Sequence, residues 1–583
     1  MTATGQLERP PAAAREAQPS PAWDGAAIVV PAVVAAILSL VGITGRSLGF
    51  DEAATVTIAS QHGSALGSAI AHDGGNMSGY YLLLHVLIAA FGNGLLAIRL
   101  PSAVAVVATV ALVGVLGRQC FGRAAAFAAG LLSAVSLPLI FWAQNARGYA
   151  AMVAFVCAAF VVFISLCQSH PPRISRPPAQ RGRRWLWIAY VVLMALAIYS
   201  SFVAVLVVPV QLIVLARRRE ILGRFVLSLV ALALCGAPLV VLALSRGSSQ
   251  LFWVPRPTSM LETQVLQSLT SAGLQPSFRA GAITTPLLVL TLVLLAAIAA
   301  VIGADARPDG RRRNLRHEAP DQTWAGILML AWLAVPVLLT WVSSYLIQPT
   351  FVPRNLLMSV PPVALLLGRG LAGRRLPRVL AGAVLVGLVA LRAVALAGSY
   401  GVSPEPWQQS TAYVLARARP HDCVAFYPAD GRMAFQYYVG GDADHTRRAP
   451  RSVLPIVRWG VVRPFVEQYV DLSPVQLAGR TAGCGRMWFV TSHEGQADGP
   501  ARSRENRARF LKLRSELERA FGGTAPIAQF GYAAAIHVQL MAGGQGRSAG
   551  AGEGVSTAHS GTTGAQPPSD QRVQPTGLPA ASG

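Results

Sequence analysis

Charge is what this chain of 583 residues has least of: only 13% of it is Asp, Glu, Lys or Arg. A soluble domain carries roughly 25%, so the deficit excludes a soluble multi-domain enzyme and points to the bilayer. Lysine is almost missing, with Lys512 the one example, and arginine supplies nearly all the positive charge. Acids are scarce as well, 26 against 49 basic residues, which leaves a net +23. Six cysteines do not make a disulfide framework, and no CxxC spacing suggests zinc. Cys120, Cys157, Cys167 and Cys235 lie in or beside apolar runs, where a free cysteine packs as a small hydrophobe. Cys423 and Cys484 can pair if their region lies outside the cytoplasm. No internal repeat is visible.

What the chain has instead is long apolar runs. The first, AAIVVPAVVAAILSLVGITG over 26–45, has the roughly 20 residues that a helix needs to cross. Others follow at 97–117, 124–143, 148–168, 222–244, 281–303, 323–346, 355–372 and 379–398. The run 185–216 is too long for one span, carries Tyr199-Ser200-Ser201 at its centre, and reads as a tight helical hairpin. The count is 11 spans. The segment GYYLLLHVLIAAF, 79–91, contains His85 and is too short to cross, which suits a re-entrant or interfacial helix.

The arginines supply the orientation. Arg118 and Arg123, then Arg173 to Arg184, Arg217 to Arg219, Arg307 to Arg316 and Arg369 to Arg378 fall in successive connecting loops. One alternation of spans puts all of them in the cytoplasm, as the positive-inside bias requires. The same alternation places 46–96, 144–147, 245–280, 347–354 and everything after 398 outside. Positive charge confined to short loops between spans is an orientation signal and not a nucleic-acid surface, so no nucleic acid is expected as a partner.

The expected organisation follows. Residues 1–24 form a disordered cytoplasmic lead-in without the pattern of a signal peptide, and 25–398 form the membrane domain, with 46–96 as its first outer loop. Residues 399–542 alternate strand-like runs (CVAFYP, MWFVTS, AAAIHVQLM) with helical stretches at 406–419, 431–439 and 503–521. They read as a small α/β domain outside the membrane. Residues 543–583 read as a disordered tail. The fold class is mainly α: a polytopic helical membrane protein with a C-terminal extracytoplasmic α/β domain.

Three constellations carry chemistry, all on the outer side. The first loop opens with Asp51 and Glu52, just after span one, and continues to His72-Asp73-Gly74-Gly75-Asn76 before the short apolar segment. Adjacent acids also suit the first turn of a helix, and Gly-Gly-Asn suits a turn. One loop with two acidic clusters and a membrane-dipping end is nevertheless a place for acid–base work. The second constellation is FWAQNARGYA, with Gln144, Arg147 and Tyr149 at a helix junction. The third is QPTFVPRNLL, with Arg354. Outer arginines can snorkel, but a pair of them can also clamp a lipid phosphate, since guanidinium matches phosphate geometry.

In order, Asp51-Glu52, His72-Asp73, Tyr80-Tyr81-Leu82-Leu83-Leu84, AIRLPSAVA, the 120–150 stretch and FVPRNLLMSVPPVALLLG resemble bacterial glycosyltransferases of the GT-C superfamily. The likeness is to the family 39 group, related to protein O-mannosyltransferases and lipid A aminoarabinose transferases. It covers roughly 25–400, with a weaker likeness of 405–428 to the tails of actinobacterial members. The resemblance implies a GT-C fold and inverting transfer of a sugar, commonly mannose, from a polyprenyl-phosphate sugar on the outer face of the plasma membrane. It implies Asp51 as catalytic carboxylate or base, Glu52 beside it, and Asp73 with His72 as the second acidic motif. Arg147 and Tyr149 would lie near the donor and Arg354 at its phosphate; Gln144 joins this set only as their neighbour in FWAQNARGYA. No metal and no cofactor beyond the donor substrate are implied; the partners are membrane lipids and a glycan, glycolipid or protein acceptor. The chain departs from the family at Gly74–Gly79, where members carry a Pro-Pro pair, and at Asn145 and Gly148, where Glu and Pro are commoner. A lipid or glycan transporter is the alternative, weakened because the spans show no ionisable residue at their centres. A non-catalytic envelope assembly protein is another.

Overall fold

The computed structural model describes residues 21–168, 180–215, 219–246, 256–274, 281–306, 322–373, 375–440, 443–461, 471–497, 501–522, 527–531 and 535–542. The expected lead-in up to residue 20, the tail from 543 and the arginines 173, 176, 217, 218, 307–316 and 374 lie outside them.

The apolar runs fold as helices. In chain order these are α1 (Pro21–Leu40), α2 (Phe50–Ala59), α3 (Gly63–His72), α4 (Ser78–Phe91), α5 (Leu95–Phe121), α6 (Arg123–Ala134), α7 (Leu137–Ala143) and α8 (Tyr149–Gln168). Then come α9 (Gln180–Ser200), α10 (Val208–Leu215), α11 (Arg219–Arg246), α12 (Ser259–Thr270), α13 (Thr284–Ala306), α14 (Gln322–Leu346), α15 (Val360–Ala372) and α16 (Arg378–Ala397). Among the described residues seven helical segments are long and apolar enough to cross a membrane, and α6 with α7 make an eighth if their 59° bend is one broken span. The other three of the 11 expected spans are shorter apolar helices, Gly25–Leu40, Arg184–Ser200 and Phe202–Ile213. The last two occupy the run 185–216, where a tight hairpin is expected, and extended backbone at Ser201 separates them. The segment expected not to cross is α4, only 14 residues long.

The bend between α6 and α7 has a sequence cause. Pro138 sits in the first turn of α7, where its missing N–H is harmless, but in a helix continued from α6 its ring would clash with the Ala134 carbonyl. Breaking a helix leaves carbonyls without partners. One of them, Leu132 O, accepts from Arg392 Nη1 at 2.9 Å. Arg392 lies in the second half of α16, away from the centre of that span, and is buried. Its guanidinium serves the negative end of a broken helix.

After α16 the chain builds a lobe. It contains α17 (Trp407–Leu415), β1 (Asp422–Tyr427), α18 (Gly431–Gly440), α19 (Ala443–Arg448), β2 (Arg451–Leu454), α20 (Pro474–Thr481), β3 (Arg486–Thr491), α21 (Ala501–Phe521), β4 (Ala528–Phe530) and β5 (Ile536–Met541). The sheet order is β2-β1-β3-β5-β4, parallel across β2-β1-β3 and antiparallel across β3-β5-β4. β1 is buried along its whole length, as a central parallel strand should be. A Cys423–Cys484 disulfide fastens β1 to the turn before β3.

The lobe is stitched to the segment between α1 and α2. Leu48 N–H donates to Tyr438 Oη at 2.6 Å and Ser47 N–H to Ser403 Oγ at 2.9 Å. Gln408 N–H donates to Ser47 Oγ at 2.9 Å, and Phe50 N–H to Glu405 Oε2. Tyr437 Oη donates to the Asn93 carbonyl at 2.8 Å.

Candidate active site

The two adjacent acids at the start of α2 point into different surroundings. Glu52 is fully buried and both its oxygens are engaged. Arg99 of α5 meets it in a fork, Nε to Oε1 at 2.9 Å and Nη2 to Oε2 at 2.8 Å. The Ala146 N–H adds a bond at 2.7 Å and the Gly49 N–H one at 3.3 Å. Arg99 in turn donates to the carbonyls of Ile43, Arg46 and Ser47. One buried ion pair therefore joins the end of α1, the start of α2, α5 and the α7–α8 junction.

Asp51 faces the other way and its side chain is 42% exposed. Arg354, from the turn before α15, donates Nη1 to Asp51 Oδ2 at 2.6 Å. Arg147 Nη2 stands 3.9 Å from the same oxygen. Arg147 is held from below: Nη1 donates to Thr55 Oγ1 at 3.1 Å and to the Asp51 carbonyl at 3.3 Å. Its Nε is buried without a hydrogen-bond partner. Desolvation pushes the Asp51 carboxyl up, but Arg147, Arg354 and His493 together outweigh it and hold its pKa below the ordinary carboxylate value.

The second acidic motif stands in the same neighbourhood. Asp73 ends α3 and accepts from Tyr81 Oη at 2.8 Å. Asp73 and Tyr81 both act electrostatically on Arg147. The loop between α3 and α4 turns with Gly74 at φ +74° and Gly75 at φ +77°. Proline, fixed near φ −65°, cannot take that path at either position. The loop lies on Leu242 and Arg246 at the end of α11. Gly148 has an equally local reason: a Cβ there would stand 2.3 Å from the Ser200 carbonyl.

The remaining sequence candidates divide. Tyr149 is buried, with the Arg147 guanidinium 5.9 Å from its ring centroid. His72 is exposed at the end of α3. Gln144 donates Nε2 to the Ser39 and Val41 carbonyls at 3.1 and 2.6 Å, capping the end of α1. It is a tie between helices and faces no open space. Among the described residues no group of three or more His, Cys, Asp or Glu is arranged to hold a metal ion.

Three neighbours of the site were not singled out as site residues in the sequence. Arg99 is inside the AIRLPSAVA motif; a lone charge in an apolar run implies a buried counter-charge, and that signal was available. Glu405 and His493 come from the lobe. Glu405 accepts the Phe50 N–H, His493 Nε2 lies 3.9 Å from Glu405 Oε1, and the Phe50 and His493 rings meet at 5.4 Å. Burial raises the pKa of Glu405, with the Asp51 charge adding to it. No local signal in the sequence connects residues so distant along the chain.

Comparison with known proteins gives the fold a counterpart. Residues 78–243 match the family described as dolichyl-phosphate-mannose-protein mannosyltransferase. The apo structure of ArnT from Cupriavidus metallidurans aligns over 88% of this chain and 97% of its own, at 14% identity and a TM-score of 0.51. The same enzyme bound to undecaprenyl phosphate aligns with a TM-score of 0.48 at 14% identity, over 88% and 97% of the two chains. The oligosaccharyltransferase AglB of Archaeoglobus fulgidus, in complex with an inhibitory peptide and a dolichol-phosphate, aligns at 12% identity over 86% and 72%, with a TM-score of 0.47. At the level of sequence no curated protein matches. The fold is thus similar to that of ArnT, and the family match covers residues 78–243 of this chain.

Proposed function

We propose that the protein moves a sugar, mannose in our reading, from a polyprenyl-phosphate donor to an acceptor hydroxyl on the outer face of the plasma membrane. The observation that carries this reading is the convergence of Arg354 and Arg147 on the half-exposed Asp51. Two guanidinium groups beside one carboxylate form a place where a phosphate can displace the carboxylate as partner. ArnT, whose fold this chain shares, is known with undecaprenyl phosphate bound, which supports a lipid-linked donor here.

The reaction then divides among the residues. Arg354 and Arg147 take the donor phosphate and the charge that grows on it as the sugar leaves. Asp51, released from Arg354, accepts the proton of the attacking acceptor hydroxyl. The hydroxyl oxygen forms its bond to the anomeric carbon from the face opposite the departing phosphate, so configuration inverts. Losing its guanidinium partner raises the Asp51 pKa, so the carboxylate becomes a stronger base once donor is present. Asp73 and Tyr81 orient the acceptor side, and Glu52, with its oxygens committed to Arg99, acts as a positioning residue.

The outward placement of the lobe is supported by the arginine-rich connecting loops and by the Cys423–Cys484 bond, which persists in oxidising compartments. Acceptor identity, whether glycan, glycolipid or protein hydroxyl, is read out by the test. Purified protein in nanodiscs is given labelled polyprenyl-phosphomannose and total envelope acceptors. Transfer that is lost in Asp51→Asn, with the variant still folded, is the expected result. Wild-type rates in Asp51→Asn would overturn the assignment.

A further inference from the structure

Parallel strands of open sheets take their ligands outside their carboxyl ends, where the chain leaves two neighbouring strands toward opposite sides. In the order β2-β1-β3-β5-β4 that place lies between β1 and β3: the chain runs from β1 outward to β2, and from β3 the other way to β4 and β5. The Ser492 N–H still bonds to the Tyr427 carbonyl at 2.8 Å, so His493 is the first residue past the paired ends. Its backbone is left-handed, φ +51°, which is uncommon without glycine. Asn506 Nδ2 of α21 fixes that turn by donating to the His493 carbonyl at 2.9 Å. The turn lays the imidazole against the ring of Phe50, the residue before Asp51. The carboxyl ends of the lobe's parallel strands thus meet the reaction centre.

Two polar atoms are left uncommitted there, on side chains that solvent reaches. The side chain of His493 is 43% exposed and that of Glu405 18%. Glu405 Oε2 is engaged by the Phe50 N–H and by Trp407 Nε1. Its Oε1 accepts no hydrogen bond among the described residues and faces His493 Nε2 at 3.9 Å. The other ring nitrogen, Nδ1, lies 3.2 Å from Ser492 Oγ. A separation of 3.9 Å is too long for a hydrogen bond, and it suits one oxygen atom lying beside both groups.

We propose, on the basis of the transfer reaction above, that His493 and Glu405 form the acceptor subsite of the reaction centre and that the acceptor is a sugar. One hydroxyl of the sugar fills the gap, accepting from His493 Nε2 and donating to Glu405 Oε1. Another hydroxyl of the same molecule meets Asp51 and attacks the donor. The gap has place for a single oxygen that accepts and donates at once, which a hydroxyl does and the N–H or C=O of a peptide does not. A serine or threonine side chain has one hydroxyl, which Asp51 takes, so a protein acceptor leaves the pair empty.

The test uses full-length protein in nanodiscs, labelled polyprenyl-phosphomannose, and as acceptor probes methyl α-mannoside, octyl α-mannoside and a peptide rich in serine and threonine. Label should pass to a mannoside and not to the peptide. Use of the methyl glycoside marks a free glycan as the source of the sugar, and use of the octyl glycoside alone marks a lipid-anchored one. His493→Ala should raise the KM for the accepted mannoside about tenfold or more, with kcat changed less than about threefold and the donor KM unchanged. His493→Gln, whose amide offers an N–H near the place of Nε2, should recover most of that loss. Glu405→Gln should raise the same KM, because it turns a second N–H toward the imidazole. A residue that only props the lobe would lower kcat or raise both KM values, and glutamine would not restore them. With Asp51→Asn inactive, the inference is overturned by label on the peptide in preference to the mannosides or on no probe, by an unchanged mannoside KM in His493→Ala, or by no recovery in His493→Gln. Wild-type transfer in Asp51→Asn would overturn the transfer reading, and this one with it.

Discussion

Asp51 and Glu52 are neighbours in the chain and belong to two unlike regions of the molecule. Glu52 is buried, and four N–H groups fill its carboxylate. Around Asp51 there is solvent, and the partners are two arginines, one at 2.6 Å and one at 3.9 Å. A buried, saturated ion pair fixes geometry and has nothing left to offer a substrate. A half-open one can exchange partners. The chemistry of the carboxylate is thus decided by its side of the helix and not by its type.

Breaking the closed region should have the largest effect. Glu52→Gln leaves Arg99 buried without its counter-charge, at a cost of about 3–5 kcal/mol. It should abolish the folded protein, measured as loss of the monodisperse peak after solubilisation. Next, in the open region, Asp51→Asn should preserve that peak and lower kcat by about 10²–10⁴. Arg354→Gln should follow, with a loss of about 10²–10³ in kcat as the phosphate loses a donor. A normal kcat there would separate Arg354 from the leaving group.

The pH profile sharpens the same contrast. The arginines depress the Asp51 pKa in the donor-free protein, so the acidic limb of kcat/KM, which reports the free enzyme, should lie below the ordinary carboxylate range. With donor bound, Arg354 is drawn to phosphate and the limb of kcat should move to higher pH. Arg354→Gln should raise the limb of kcat/KM and close the gap between the two profiles. Coincident limbs in the wild type would mean that Arg354 stays on Asp51 throughout. The smallest expected effect is that of Tyr81→Phe, which removes one hydrogen bond to Asp73. It is worth about 1.5–3 kcal/mol at most and should show in KM for the acceptor before kcat.

Much of this was legible in the chain. Long apolar runs declared the helices, because a helix crossing lipid must satisfy its own backbone and present apolar side chains. Arg147 and Arg354 stood out as charges against the bias of their own side. The strands β1, β3 and β5 showed themselves as apolar runs, whereas β2 and β4, with four and three residues, are too short to carry a period. Gln144 was read as part of the donor site because its neighbours are; its true partners are carbonyls of α1, more than 100 residues away. The burial that separates Glu52 from Asp51 is a tertiary fact, and so is the approach of Glu405 and His493.

The stitches between lobe and membrane helices fall on Ser47, Leu48 and Phe50, immediately before the carboxylate. With Arg99 clamping the carbonyls of Arg46 and Ser47 from the other side, this short stretch of backbone has no slack. The lobe and the membrane helices thus share one strip of backbone, and it ends at the residue before Asp51.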